Sequence, residues 1–285
     1  RFEHPQAPAV EELMKTEVEL GQTPEGYVKP RAGIPTVKIR LSDVPDRPFE
    51  DYRLSGIAAV TDAIRDNLAK HNVVGVLVFP RDIGLMDEDY GKDLRAPGST
   101  DLHIEVITAL ASTVRTLAFG TRVPYEQRVN NPIHQRIRDR SPIVPAESLD
   151  DPARKDLIRK DNLDDYVYRL NRHGGRKVNV ALSVGEPRKS RSGEELPTVS
   201  LDYLVIENKP WFAYFQLSNT GTESTGEWRE RFGFVHNQLT GRDDTLSLDF
   251  VTAGFKDSNA LIASYEAPWF GAERLRWRTY ATWNN

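Results

Sequence analysis

Residues 211–283 repeat one pattern about five times, in which a run of roughly ten alternating apolar and polar residues ends in a short turn rich in Gly, Asn, Asp or Pro. Because successive side chains of a strand point to opposite faces, this alternation predicts strands with one apolar face and one polar face. The spacing of the turns predicts about five such strands in succession.

The polar face of these predicted strands carries several charged side chains. Unpaired buried guanidinium groups have a desolvation penalty that packing cannot offset, so this face needs water. Two architectures satisfy the pattern: the wall of a transmembrane β-barrel, apolar toward lipid and polar toward a lumen, or a soluble β-sandwich with its charged face in solvent. Alternation alone leaves both open. In the barrel interpretation the pore-lining candidates are Arg229, Arg231, Asp249, Arg274, Arg276 and Arg278.

Composition narrows the class of protein. The chain has 285 residues, of which 39% are hydrophobic, so it can bury more than one core. A net charge of -4 and a mean hydropathy of -0.54 exclude a strongly basic nucleic-acid binder and a helical membrane protein. Cysteine is absent, which excludes disulfides and thiolate metal sites. The six histidines do not cluster at ligand spacing, and a polar turn explains Asp243 and Asp244 better than a metal site does. No nucleic-acid partner, cofactor or metal is expected.

The region before residue 209 predicts a leader and two small α/β modules. Residues 1–33 contain four prolines and one helical candidate, 9–20, and are expected to be a leader or linker. Residues 34–120 predict a strand at 37–41, an amphipathic helix at 56–71, and strands at 73–79 and 102–106. The helix places one apolar stripe toward the module, formed by Ile57, Val60, Ile64 and Leu68.

The second module, residues 121–208, predicts helices near 131–140 and 161–171 and strands at 178–184 and 199–205. A strand with a single apolar face needs a helix to cover that face. Each module is therefore predicted to be a small sheet with helices on one side.

Three segments carry a resemblance to a known family: RLNRHGGRKVNVALSVGE, the run from TVSLDYLVIENKPWF through TLSLDF, and SNALIASYEAPWFG. Their order resembles the outer-membrane transporters of two-partner secretion, the haemolysin secretion/activation family. The matching positions are Leu170, Asn171, Arg172 and Arg176, then Asn219, Gly221, Thr225 and Gly226, then Asn237, Gly241, Asp243 and Asp244, and finally Ser264, Tyr265 and Pro268.

This resemblance implies an α+β fold of two POTRA domains, 34–120 and 121–208, followed at 209–285 by the first antiparallel strands of a transmembrane β-barrel. It implies a protein of the outer membrane of a Gram-negative-type bacterium, with the POTRA domains in the periplasm. The expected function is protein translocation without catalysis. The expected partners are outer-membrane lipid and a secreted exoprotein client in extended form, and the barrel is expected to be monomeric.

The resemblance also implies binding edges, because POTRA sheets offer an edge strand to which an extended client adds by β-augmentation. The alternative is that these side chains are simply core. The candidate partner-binding residues are Val73, Val74, Val76 and Val78 in the first module and Val178, Val180 and Leu182 in the second.

Five strands cannot close a barrel in lipid, because an open edge leaves backbone groups unpaired in hydrocarbon. The chain is therefore expected to be a fragment of a longer one. Two other functions stay open: an outer-membrane assembly factor with the same plan, and a soluble β-rich binding protein or carbohydrate-active enzyme, for which Glu230 and Asp249 are the candidate carboxylates.

Overall fold

The computed structural model describes residues 4–46, 51–84, 91–148, 151–189, 195–223, 226–255, 258–269 and 272–285. Thr225, one of the motif positions, lies outside these ranges. The chain forms two compact units. The first comprises Arg1–Thr113, Pro142–Leu163 and Val184–Ser200, and the second comprises Val114–Ser141, Asp164–Ser183 and Leu201–Asn285.

The first unit begins with a short helix and a small antiparallel sheet. The helix α1 (Val10–Met14) precedes strands β1 (Glu17–Thr23), β2 (Gly26–Val28) and β3 (Thr36–Arg40), which pair in the order β2-β1-β3. The expected helix at 9–20 is wrong beyond Met14, because Val18 and Leu20 alternate with glutamates and are buried on one face of β1. Residues 17–28 are thus sheet and not linker.

The central helix of this unit is α2 (Leu54–Lys70), and it confirms the predicted apolar stripe. Ile57, Val60, Ile64 and Leu68 are all buried, and Leu68 has no exposed surface. The helix packs over β1 and near the two-stranded antiparallel sheet of β4 (Val76–Pro80) and β5 (Ile104–Thr108). One hydrophobic core therefore joins the early sheet, the helix and β4.

A further three-stranded sheet has the order β6-β10-β7, with β6 (Leu110–Phe119), β7 (Arg176–Val184) and β10 (Thr198–Glu207). The short strands β8 (Arg188–Lys189) and β9 (Glu195–Leu196) form a separate pair. Strand β6 was missed in the sequence because its buried positions are largely small or hydroxyl side chains such as Ala111, Thr116 and Ala118. The limits 33/34, 120/121 and 208/209 remain predictions.

Two helices of the second module are as predicted in type. They are α3 (Gln135–Asp139), which follows a 3₁₀ turn at Pro132–His134, and α4 (Lys160–Asn171). In the second unit Tyr166 of α4 packs edge-on against Tyr203 of β10, with ring centroids 5.7 Å apart. The Tyr166 hydroxyl donates to the Ile137 carbonyl, so the helix, the sheet and α3 share one core.

The five strands predicted at the end of the chain are present and pair in sequence order. They are β11 (Trp211–Ser218), β12 (Arg229–Asn237), β13 (Thr245–Ala253), β14 (Ser258–Trp269) and β15 (Ala272–Asn284), all antiparallel to their neighbours. Within the described residues, no helix combines the length and the apolar character that a membrane crossing needs.

The register of these strands sorts the side chains into two faces. Phe232 lies opposite Phe215 on one side and Phe250 on the other, and Leu261 and Trp283 continue this apolar row. By alternation, the arginines of β12 and β15 lie on the other face, which also holds Phe212, Val235 and Ile262. Many side chains of the apolar row are exposed, including Phe215, Leu275 and Trp283 at 56–62%.

Candidate functional site

The first predicted edge strand is already occupied at its start. Val73 forms a β-bridge with Arg159, and the Val74 N–H donates to the Ile158 carbonyl at 3.2 Å. Val73 and Val74 are therefore not part of a free edge, contrary to the sequence prediction. No sequence pattern could predict this pairing, because the partner segment lies more than eighty residues further along the chain.

Further along β4, the direction of the backbone groups can be read from the flanking bonds. The Gly75 carbonyl accepts from Ala109 and the Arg81 N–H donates to His103, so both residues face β5. Because successive residues of a strand direct their backbone groups to opposite sides, Val76, Val78 and Pro80 face away from β5. Proline has no N–H, so this edge offers donors only at Val76 and Val78. The Val78 side chain is buried, as the core interpretation expected.

The second predicted edge is β7, which lies at the end of the order β6-β10-β7. Its first part is held by a side chain of α4. The Val178 N–H donates to Asn171 Oδ1 at 2.6 Å, and Asn171 Nδ2 donates back to the Val178 carbonyl at 2.9 Å. Val178 thus directs both backbone groups away from β10, and both are satisfied by one amide.

The same alternation places Val180 and Leu182 on the outward side of β7. Consistent with this, Gly185, an odd-numbered position, donates to the Thr198 carbonyl of β10. The apolar side chains along this row become progressively exposed: Val178 is fully buried, Leu182 is 42% exposed and Val184 is 94% exposed. The end of β7 therefore presents both backbone groups and apolar side chains to the outside.

The polar face of the five-stranded sheet holds a bonded cluster around Asp249. Arg231 Nε donates to Asp249 Oδ1 at 2.9 Å, and the Tyr214 hydroxyl donates to the same oxygen. Tyr214 reaches Asp249 across β12 because Gly233 lies between them; a Cβ at that position would come 2.1 Å from the Tyr214 ring. Two of the predicted pore-lining residues, Arg231 and Asp249, are thus brought together.

The arginines of β15 lie on this polar face and also have acidic partners. Arg276 Nε donates to Glu266 at 2.6 Å, and Arg278 donates to the other oxygen of the same carboxylate. Arg274 pairs instead with Asp165 of α4 at 3.0 Å. Arg229, also a predicted member, stands opposite Ser218 of β11. The face is therefore charged, with its arginines and acids in contact.

A second cluster, centred on Arg176, was missed in the sequence. The Arg176 side chain is 4% exposed, donates twice to the Leu170 carbonyl at the end of α4, and bonds Asp243 Oδ1 at 2.7 Å. Asp243 lies in the turn between β12 and β13 and also accepts from Gln238. Its carbonyl accepts from Arg276. One guanidinium thus links α4, the start of β7 and a turn of the five-stranded sheet.

Two carboxylates, those of Asp243 and Glu207, balance the positive charge of this cluster. Burial alone raises the pKa of Asp243, but the charge and hydrogen bond of Arg176, with the Gln238 amide, lower it below its usual value. Burial likewise opposes ionisation of Glu207, yet His134 and Arg122 lower its pKa. Both carboxylates are therefore held in the charged form.

Glu207 is the last residue of β10 and is 3% exposed. Arg122 donates to it, His134 Nε2 lies 3.2 Å from it, and Arg176 Nε lies 3.9 Å away. A cavity of about 30 Å³ beside these residues has room for about one water molecule. The available signal was a glutamate directly after the apolar run Leu204, Val205 and Ile206 at the end of this strand.

The sequence matches no protein-family model and no curated protein sequence. Among solved structures, the chain is similar to CdiB from Escherichia coli, with a TM-score of 0.46, 15% identity, and coverage of 82% of this chain and 36% of that one. It is also similar to the crystal structure of BamA from Haemophilus ducreyi lacking POTRA domains 1-3, with a TM-score of 0.40, 15% identity, and coverage of 84% and 38%.

A third similar structure is CdiB from Acinetobacter baumannii, with a TM-score of 0.39 and 14% identity, covering 75% of this chain and 34% of that one. The chain thus spans between 34% and 38% of the length of these three proteins.

Proposed function

We propose that this chain is part of an outer-membrane translocation protein, in which the α/β modules capture an unfolded secreted partner and the five-stranded sheet is one section of a barrel wall. In this proposal β11–β15 stand in the membrane, with the apolar row toward lipid and the arginine face toward a water-filled lumen. The modules lie in the periplasm, and the chain carries out no bond-making chemistry.

The observation that carries the proposal is the two-faced character of the five-stranded sheet. A tilted strand needs about 9–11 residues to cross the hydrocarbon of a membrane. Strands β12 to β15 have 9, 9, 12 and 13 residues and so reach this length. Large apolar side chains such as Phe215, Leu275 and Trp283 are exposed on one face. An extended apolar surface of this kind marks contact with lipid or a partner.

The charged face supports an aqueous lumen. Asp249 accepts from Arg231 and Tyr214, and Glu266 accepts from Arg276 and Arg278, so these ions are satisfied within the wall. A barrel interior of this type is polar, and its residues face water and a passing chain. The terminal strands β11 and β15 would pair with further strands, since hydrocarbon does not tolerate an open sheet edge.

Capture is assigned to the outward side of β7. Backbone groups at Val180 and Leu182 face away from β10, and an extended client can add there as a further strand. This mode needs no binding pocket, because main-chain hydrogen bonds supply the affinity and alternate side chains supply the selectivity.

The test has two parts. Alkaline extraction of membranes from the source bacterium should leave the full protein in the membrane pellet, and its mobility on a gel in detergent should change on heating. Recovery of the full protein in the aqueous fraction without detergent would contradict the membrane assignment and favour the soluble alternative.

The second part compares proteins in the culture medium of strains that carry Val180→Pro or Ala181→Pro. Val180→Pro removes an outward donor and leaves the bonds to β10 intact, so secretion of the partner should fall while membrane insertion persists. Ala181→Pro removes a donor that faces β10 and should lower both. If Val180→Pro lowers insertion as much as Ala181→Pro does, its effect is folding damage and the capture assignment fails. Unchanged secretion with Val180→Pro would also exclude capture at β7.

A further inference from the structure

The side chain of Asn171 forms hydrogen bonds to the backbone of β7 in the way that a neighbouring strand would. A strand paired with Val178 would accept from its N–H and donate to its carbonyl. The Asn171 amide makes these two bonds, at 2.6 and 2.9 Å, from the last residue of α4. An incoming chain therefore meets an occupied position at Val178, whereas no strand among the described residues pairs with the outward side of β7 beyond it.

The exposure of the apolar row changes at the same point. Val178 is fully buried, whereas Leu182 and Val184 are 42% and 94% exposed. The residues that share one backbone direction in a strand also share one face, so the open donors and the exposed apolar side chains coincide. An added strand would place every second side chain beside Val180, Leu182 and Val184.

We propose that Asn171 is an end stop that fixes the register of a client strand on β7, so that the client pairs from Val180 onward and presents apolar side chains at alternate positions. This inference rests on the proposed capture function. It assigns to Asn171 a positioning role, since the amide sets where pairing begins and the backbone of β7 does the binding. Register matters because a shift of two residues would keep the client's apolar side chains on the same face but move each of them to a different neighbour along the row.

The first module shows the same arrangement by different means. There the segment at Ile158 occupies Val74, and open donors begin at Val76. However, Pro80 ends that edge after two donors. The longer open edge is β7, so the end stop on β7 is the one that governs pairing.

The test uses disulfide mapping, since the chain contains no cysteine. Val184→Cys places one thiol on β7 at a position that is 94% exposed. The probe is a series of short synthetic peptides in which valine alternates with threonine, lysines flank both ends, and one cysteine moves through successive positions. The yield of mixed disulfide with the full protein in detergent should peak at one peptide position.

Asn171→Ala frees the backbone groups of Val178, so the strand can extend by one hydrogen-bonded pair and the peak should move by two peptide positions. Asn171 itself is exposed and alanine favours helix, so the variant should keep its fold. Asn171→Gln, whose longer side chain cannot make the same reciprocal pair, should move the peak in the same way. Asn162→Ala, at the other end of α4, is the matched control and should leave the peak in place.

Two outcomes would overturn the inference in distinguishable ways. If the peak persists at one position in Asn171→Ala and Asn171→Gln, and Val180→Pro abolishes it, the client binds β7 but Asn171 does not set the register. If the yield is equal at all positions and insensitive to Val180→Pro, no strand adds to β7, and the capture function fails together with the end stop.

Discussion

The buried pair of Arg176 and Asp243 allows a quantitative test of how α4 and the start of β7 are joined to the five-stranded sheet. Asp243→Asn removes the negative charge but keeps an oxygen that can accept from Arg176. Asparagine also tolerates the left-handed backbone at this position, where φ is 59°. A charge-assisted hydrogen bond is roughly twice as strong as a neutral one, so the variant should lose about 1–2 kcal/mol of unfolding free energy.

Arg176→Met should cost more, about 3–5 kcal/mol, because it leaves Asp243 and Glu207 without a shared cation and the Leu170 carbonyl without its two donors. In the Asp243→Asn background the substitution Arg176→Met should cost less, because the charge of Asp243 is already absent. The double-mutant cycle should therefore give a coupling energy of about 1–2 kcal/mol.

Urea unfolding of the detergent-solubilised protein, followed by tryptophan fluorescence, provides the measurement. All five tryptophans lie between residues 211 and 283, so the signal reports on the five-stranded sheet. Arg172→Met, an exposed neighbour of Arg176, is the control and should stay within about 0.5 kcal/mol of the native chain. Additivity of Arg176→Met and Asp243→Asn within about 0.3 kcal/mol would refute the interaction.

Three further outcomes are expected from the same assay. Glu207→Gln should destabilise the protein by about 3 kcal/mol, because it leaves buried cations without their carboxylate, whereas exposed Glu186→Gln should have little effect; equal midpoints would contradict the charge cluster. Gly233→Ala should cost about 1–3 kcal/mol by displacing the Tyr214 ring, and should be nearly neutral in a Tyr214→Ala background. The pKa of Asp243 is lowered in the folded protein, so its carboxylate stabilises the fold above about pH 4 and loses this effect as the pH falls through the folded pKa. The difference in urea midpoint between the native chain and Asp243→Asn should therefore become smaller from pH 7 to pH 3. A difference that does not change with pH would contradict this role of Asp243.

The five terminal strands could be predicted because alternation of period two is a local property that survives in each run. The same is true of α2, whose buried stripe repeats at helical spacing. Strand β6 escaped prediction because Ala111, Thr116 and Ala118 are buried but not strongly apolar. Strand β1 was mistaken for helix because a short run of alternating glutamate and aliphatic residues also fits part of a helical face.

The candidate site could be predicted only in part, for a different physical reason. Pattern places Val180 and Leu182 on an outward row, but it cannot show that Asn171 takes the backbone of Val178 or that residue 158 takes that of Val74. The first contact is made by a side chain seven residues away, and the second joins segments more than eighty residues apart, so neither appears in a periodic pattern. Arg176 and Asp243 stood among the motif residues, yet their pairing across 67 positions emerges only from the folded chain.

The ring of Tyr214 has a consequence for the order in which the sheet can assemble. It extends from β11 over Gly233 of β12 and ends on Asp249 of β13, so one side chain spans three consecutive strands. The first hairpin alone lacks the acceptor for this hydroxyl and has weaker protection against sliding by two residues. The register of β11 against β12 should therefore be fixed only when β13 pairs with β12. Formation of the turn between β12 and β13, and not of the turn between β11 and β12, is then the step that sets the final register of the sheet.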